Sequence, residues 1–196
     1  VDAVYQNLDA LPKSYRPSEQ QLQSAIVIMD PYTGEIVALA GGVGEKTANL
    51  ITNRATQSER PPGSSFKPLS VYAPAIEAGL ITQNTLVNDA PAGEITLSGN
   101  PNWYPNNADH TQAVMSSLNT VAAQVLDKLG VDASYSFLEN NLGFTTLIEQ
   151  DRNYSSLALG ELTNGATVRE MTQAFCTFIN GGIFTESHVY TQVTDS

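Results

Sequence analysis

Apolar positions along the chain change period several times, and each change marks an expected element. Ser24 to Asp30 is β-branched and apolar, Pro31-Tyr32-Thr33-Gly34 carries turn chemistry, and Glu35 to Ala40 is apolar again. Two such runs joined by a short turn predict an antiparallel hairpin with both faces largely covered, ended by Gly41-Gly42. Residues 43–60 show no period and read as loop. From Ser64 the spacing becomes helical: Phe66, Leu69, Val71, Tyr72, Ala75 and Ile76 recur at three and four, and Gly79 stands as the stop. Pro68 falls near the first turn, where a missing N–H matters least, and Pro74 is expected to kink the helix.

Residues 82–112 are rich in Asn, Pro and Gly and predict extended loop with short strands. A second helix is expected over Val114 to Leu129, with Val121, Ala122, Val125, Leu126 and Leu129 on one face and Gly130 behind it. A third runs from about Ser134 to Leu142, and a fourth spans Thr167 to Asn180, closed by Gly181-Gly182. Val189 to Thr194 alternates and favours a strand. Residues 1–23, polar and broken by Pro12 and Pro17, read as a linker or approach segment.

Composition narrows the function classes. The chain has 196 residues, 41% of them hydrophobic, enough apolar content for one core. Its net charge of −11, with no basic run, argues against a nucleic-acid partner, because an acidic surface repels phosphate. The longest apolar stretches, Ala25 to Met29 and Ile36 to Ala40, fall far short of the ~20 residues of a membrane helix, so the chain as given is expected to be soluble. A single cysteine, Cys176, permits no internal disulfide, and its neighbourhood from Ala174 to Ile179 reads as buried helix where a thiol acts as a small apolar group. His110 and His188 lack the clustered His, Cys or Asp partners that a metal needs. Neither metal nor cofactor is expected.

The most informative segment is Arg60-Pro61-Pro62-Gly63-Ser64-Ser65-Phe66-Lys67-Pro68. A serine followed three residues later by a lysine, at the start of a helix, puts hydroxyl and amine on one face about one turn apart. A serine hydroxyl is a weak nucleophile until a base takes its proton, and Lys67 suits that task if burial or nearby cations lower its pKa. The helix start adds N–H groups where an oxyanion would form. Ser65 lies two residues from Lys67 and faces elsewhere. Without that chemistry, Ser64 is an N-cap and Lys67 a solvated first-turn residue.

A second constellation is Met115-Ser116-Ser117-Leu118-Asn119-Thr120. Ser117 and Asn119 share one cleft only if this stretch is a turn before the helix. In that arrangement Ser117 relays a proton between Lys67 and a leaving amine, and Asn119 holds the lysine and a substrate amide. The plainer alternative is a Ser/Asn cap for the helix that follows. Arg54 and Arg60 either lower the pKa of Lys67 and draw in an anionic peptide, or tie loops down by pairing with carboxylates. Trp103 and Tyr104 line a peptide groove or form a satellite core.

Serine–x–x–lysine followed by serine–x–asparagine resembles the active-site pattern of penicillin-binding proteins and serine β-lactamases. The flanking text is similar to the transpeptidase domain of class A (bifunctional) penicillin-binding proteins: Asn53-Arg54-Ala55-Thr56, Pro62 through Pro68, Glu77-Ala78-Gly79 and Trp103-Tyr104-Pro105-Asn106-Asn107. Leu159-Gly160-Glu161-Leu162-Thr163-Asn164-Gly165-Ala166-Thr167, Glu170-Met171-Thr172 and Asn180-Gly181-Gly182 extend the likeness over residues ~24–195. Glu161, which a β-lactamase would offer as a water-activating base, sits in a turn of transpeptidase type and is expected to be structural.

The resemblance implies an α/β fold of the α+β type, a mostly antiparallel sheet with helices on both faces. It implies a D,D-transpeptidase that cross-links peptidoglycan, with Ser64, Lys67, Ser117 and Asn119 catalytic and with Asn119, Trp103 and Tyr104 on the substrate. The partners implied are the D-Ala-D-Ala end of a stem peptide and β-lactams, at the extracytoplasmic face of a bacterial membrane to which a parent protein is anchored. A D,D-carboxypeptidase or serine β-lactamase is the alternative from the same chemistry, and a non-catalytic cell-wall scaffolding relative the alternative from a different class. The family's third motif, Lys-Thr-Gly or a close variant, is absent, since Lys46-Thr47-Ala48 lacks the glycine and comes in the wrong order. The expectation is therefore that residues 24–196 are the N-terminal part of the domain, without its later strands. A second polypeptide fragment carrying Lys-Thr-Gly or Lys-Ser-Gly would complete the sheet.

Overall fold

A computed structural model describes residues 23–44, 48–88 and 107–194. The expected linker, Lys46, Trp103 and Tyr104 lie outside the described residues. The chain divides into two compact units, one of residues 1–59 with 166–196 and the other of residues 60–165.

In the first unit β1 (Ile26–Met29) and β2 (Ile36–Ala40) pair antiparallel, with Ile26 opposite Ala40, Val27 opposite Leu39, and an irregularity between Ile28 and Met29. The turn is built by Asp30, whose Oδ1 accepts from the N–H groups of Tyr32 (2.8 Å) and Thr33 (3.1 Å). Those bonds hold its carboxyl below the usual value. The hairpin forms where the apolar runs predict it. Its burial, however, alternates: Val27 and Met29 are buried, while Ile26, Ile28 and Val37 are 38%, 49% and 59% exposed. Among the described residues the covered face packs on a helix (Val168–Cys176, α7 below), so one face is covered where two were expected.

The aperiodic stretch after the hairpin contains a one-turn helix, α1 (Arg54–Gln57), started by Asn53, whose side-chain oxygen accepts from the Ala55 N–H at 3.1 Å. Four residues are too few to show a period. Helix α7 (Val168–Cys176) opens with a capping box: the Glu170 N–H donates to Thr167 Oγ1 at 3.1 Å and the Thr167 N–H to Glu170 Oε2 at 3.0 Å. It ends at Cys176 rather than Asn180, and the next residues are turns. Cys176 is buried. Residues 189–194 are exposed and form no strand, contrary to their alternation; a single parallel bridge joins Glu35 to His188. Alternation supplies strand propensity, and a strand also needs a partner ladder.

The second unit holds the segment of chemical interest. A 3₁₀ turn (Gly63–Phe66), a π turn (Pro68–Tyr72) and α2 (Ala73–Glu77) replace the one continuous helix that the spacing predicts. The prolines give the reason. Pro68 has no N–H for the Ser64 carbonyl, which accepts instead from the Lys67 N–H in a 3₁₀ bond. Pro74 likewise leaves the Ser70 carbonyl without a helical donor, and the Ser134 hydroxyl fills that place at 2.6 Å. The widened turn closes through the Ala73 N–H onto the Pro68 carbonyl. Gly79, at φ 68°, ends the helix as expected.

Short strands β3 (Leu86–Asn88) and β4 (Asn107–Asp109) pair antiparallel. The expected helix over Val114 to Leu129 is two, α3 (His110–Met115) and α4 (Asn119–Leu129), broken at Ser116-Ser117-Leu118. Helix α5 (Val131–Asn140) starts earlier than the expected third helix, and α6 (Tyr154–Leu159) was not foreseen. The core of this unit is Phe66, Leu69, Val71, Val121, Val125, Leu126, Leu138 and Leu157, all essentially inaccessible to solvent. At ~1.5–3 kcal/mol each, these side chains fix the prolyl segment against α4, α5 and α6. Phe66, between Ser64 and Lys67, meets the Phe144 ring edge to face at 5.4 Å. Among the described residues no helix is long and apolar enough to cross a membrane.

Candidate functional site

The 3₁₀ turn sets the relation between Ser64 and Lys67. With three residues per turn, side chains at i and i+3 eclipse, so the two project along one line from the turn. Their burial differs sharply. Ser64 is exposed and its hydroxyl makes no hydrogen bond to a described residue, whereas Lys67 is 2% exposed. Ser65 is excluded from the pair, because its hydroxyl donates to the Pro62 carbonyl at 2.7 Å. Ser64 is not the cap of its turn: that position falls to Pro62.

The Lys67 amine donates to the Ser117 carbonyl (2.8 Å), the Ser117 hydroxyl (3.1 Å) and Asn119 Oδ1 (2.5 Å). All three acceptors are neutral. An ammonium buried without an opposite charge is penalised by lost hydration, and burial pushes the Lys67 pKa down to about 8. Among the described residues no neighbouring cation contributes to this shift; Arg60 is exposed. At pH 7 about one lysine in ten is then the free amine, against roughly one in 3,000 at an ordinary lysine pKa.

Ser117 reaches Lys67 through an unusual backbone. The Leu118 N–H donates to the Ala113 carbonyl (2.9 Å) and the Ser117 N–H to the Val114 carbonyl (3.1 Å), the paired bonds of a Schellman helix end. The residue at its hinge is left-handed, a place usually held by glycine, and here it is Ser117 at φ 52°. That conformation brings both oxygens of Ser117 onto one amine. Asn119 is the first residue of α4, whose cap position is Leu118 with no side-chain capping bond, so the Asn119 oxygen serves Lys67 rather than the helix. The stretch is thus a turn ahead of a helix, the condition under which both side chains share a cleft.

A third element completes the frame. The Gly63 N–H donates to the Gly160 carbonyl at 3.1 Å, which joins the turn carrying Ser64 to the end of α6. Gly160 is left-handed at φ 72°, and a Cβ there would lie 2.0 Å from the Gly63 carbonyl oxygen, so only glycine allows this approach. Gly165 meets the Arg60 backbone as closely, with a Cβ position 2.3 Å from the Arg60 carbonyl carbon. The Glu161 carboxylate is taken by the Ser155 hydroxyl. Ser70 ties the π turn to α6 by donating to the Leu157 carbonyl at 2.6 Å. Sequence reasoning missed Ser70 and Ser134, for which the prolines at 68 and 74 were the available signal. Among the described residues no group of His, Cys, Asp and Glu is arranged to hold a metal ion.

A family model described as the penicillin binding protein transpeptidase domain matches residues 24–196. The chain is similar to penicillin-binding protein 1A of Clostridium botulinum strain Langeland, at 36% identity over 187 residues, 88% of this chain and 22% of that protein. It is similar to penicillin-binding protein 4 of Bacillus subtilis, at 35% identity over 200 residues, 100% of this chain and 31% of that protein. Among solved structures it resembles penicillin-binding protein 1A from Haemophilus influenzae, with a TM-score of 0.69 and 26% identity over 85% of this chain and 25% of that one. The chain spans less than a third of the length of these relatives.

Proposed function

Because the chain belongs to the penicillin-binding protein transpeptidase family, we propose that it carries the nucleophile half of a D,D-transpeptidase site, acting on peptidoglycan stem peptides at the outer face of a bacterial membrane. Ser64 Oγ attacks the carbonyl of the penultimate D-alanine as the free Lys67 amine takes its proton. The tetrahedral intermediate collapses with loss of the terminal D-alanine, whose nitrogen receives a proton through the Ser117 hydroxyl. An acyl ester on Ser64 remains. An amine of a neighbouring strand then attacks the ester, giving the cross-link and restoring Ser64. Asn119 holds the lysine and the substrate amide, and β-lactams acylate the same hydroxyl.

The observation that carries this is the Lys67 amine, buried and held by three neutral oxygens, its pKa pushed down to about 8 by burial, three residues after an exposed serine. The test is mass spectrometry of the purified protein with and without a labelled penicillin. A single adduct on Ser64 that persists supports a transpeptidase. Rapid loss of the adduct to water would mean a hydrolase, and a folded protein that never acylates would remove the catalytic reading.

A further inference from the structure

Asp151 is 0% exposed, and no cation pairs with it among the described residues. The adjacent Arg152 turns away, to Glu149 (2.9 Å) and Asp132 (3.1 Å), with its guanidinium over the Tyr135 ring. The Asp151 carboxylate is satisfied by neutral donors alone. Oδ1 accepts from the Thr163 N–H (2.7 Å), the Thr163 hydroxyl (2.7 Å) and the Ser156 hydroxyl (3.3 Å), and Oδ2 accepts from the Ile148 N–H (3.2 Å). Burying a carboxylate is unfavourable unless such bonds are complete, and an apolar side chain of like size would commonly serve stability as well. What the carboxylate supplies instead is a fixed geometry for the loop it grips.

That loop is the one that holds the nucleophile's turn. The single Ser156 hydroxyl proton is shared between Asp151 Oδ1 and the Glu161 carbonyl (3.0 Å), so Glu161 and Thr163 are both anchored to this polar centre. Between α6 and these anchors sits Gly160, whose carbonyl receives the Gly63 N–H one residue before Ser64. We propose that Asp151 is a positioning residue for the nucleophile: through Thr163 and Gly160 it sets the Gly63–Ser64 backbone against the end of α6. The inference rests on the catalytic reading of Ser64 given above. It assigns Asp151 no contact with substrate.

The experiment compares wild-type protein with Asp151→Ala, Asp151→Asn and Thr163→Val. Two readouts are taken: amide hydrogen exchange at Gly63, and acylation by a fluorescent penicillin resolved into limiting rate and half-saturating concentration. In Asp151→Ala the Gly63 amide exchanges faster and the limiting rate falls by about tenfold to a hundredfold, the effect of a small displacement of a reacting group. Half-saturation and the pH midpoint near 8 stay in place, because the partners of Lys67 are untouched. Asp151→Asn recovers most of the rate, since its amide oxygen still accepts from Thr163. If Asp151→Ala does not fold, Thr163→Val decides, because it deletes one hydroxyl and keeps the volume. Wild-type exchange at Gly63 with a wild-type limiting rate overturns the proposal. So does faster exchange spread evenly over the amides of α4, which would make Asp151 a residue of general stability. A wild-type protein that never acylates would sink the catalytic reading, and the exchange at Gly63 would still decide the coupling.

Discussion

Asn119→Asp tests whether the uncharged surroundings of Lys67 are what let its pKa fall to about 8. The substitution keeps the shape of the side chain and places a carboxylate oxygen where Asn119 Oδ1 now lies, 2.5 Å from the amine. With an effective dielectric of ~20, two unit charges at that distance attract by ~7 kcal/mol. Most of this is offset because burying the new carboxylate itself costs several kcal/mol. The net effect of an opposite charge in contact is a rise of ~1–3 pKa units, which moves Lys67 from about 8 toward the ordinary lysine range. For a two-unit rise the free amine at pH 7 falls from about one in ten to about one in a thousand. Acylation at pH 7 should then drop about a hundredfold, while the ascending limb of the pH–rate profile shifts alkaline by the same two units. The assay is the acylation rate with a fluorescent penicillin from pH 6 to 10.5, with the adduct located by mass spectrometry. An Asn119→Asp protein that acylates at the wild-type rate at pH 7, or whose midpoint stays near 8, refutes the argument that neutral surroundings poise this lysine.

Ser64→Ala should abolish the adduct and leave the circular dichroism spectrum unchanged, and Lys67→Ala should leave less than roughly a tenth of the acylation rate; a normal adduct in either displaces the assignment. Lys67 also links stability to pH. Its folded pKa lies below its unfolded value near 10.5, so the unfolded chain binds more protons between about pH 8 and 10.5, and stability rises with pH across that window by about 3 kcal/mol. In Lys67→Met that rise should vanish in denaturant titrations, whereas the loss at still higher pH, from the Tyr72 hydroxyl whose pKa burial raises, should persist in both proteins. Ser117→Gly should be about 1 kcal/mol more stable than Ser117→Ala, because glycine relieves the left-handed backbone, while both acylate slowly for want of the hydroxyl; equal melting curves would count against strain at this hinge. Gly160→Ala should destabilise by at least ~2 kcal/mol and slow acylation, since its methyl would overlap the Gly63 carbonyl; a wild-type rate at unchanged stability would deny the close approach.

The sequence by itself determined what is settled within a turn or two of chain. β-Branched runs around an Asp-Pro-Tyr-Thr-Gly turn specify the 26–40 hairpin, and Gly79 specifies a helix end. The spacing of Ser64 and Lys67, with Pro68 directly after them, already contains the 3₁₀ turn that aligns them, because a proline there denies the Ser64 carbonyl its α-helical donor. Ser117 and Asn119 were legible as partners only on the condition of a turn. That turn has no glycine or proline to announce it, since its left-handed hinge is a serine. Tertiary structure decided the rest. The lowered pKa of Lys67 comes from burial, and the amine's partners lie 50 and 52 residues away; neither the exclusion of water nor those partners is a property of a short window. Asp151, in a stretch reading Glu-Gln-Asp-Arg, has the composition of a solvated surface, and only the packing of α6 and the Thr163 loop shows it to be buried. Residues 189–194 fail in the opposite sense: their alternation is intact, but among the described residues no neighbouring strand supplies the ladder that turns propensity into a strand. Local sterics act over a few bonds and are written in the residues themselves, whereas desolvation and long-range hydrogen bonds belong to the atoms that folding brings alongside.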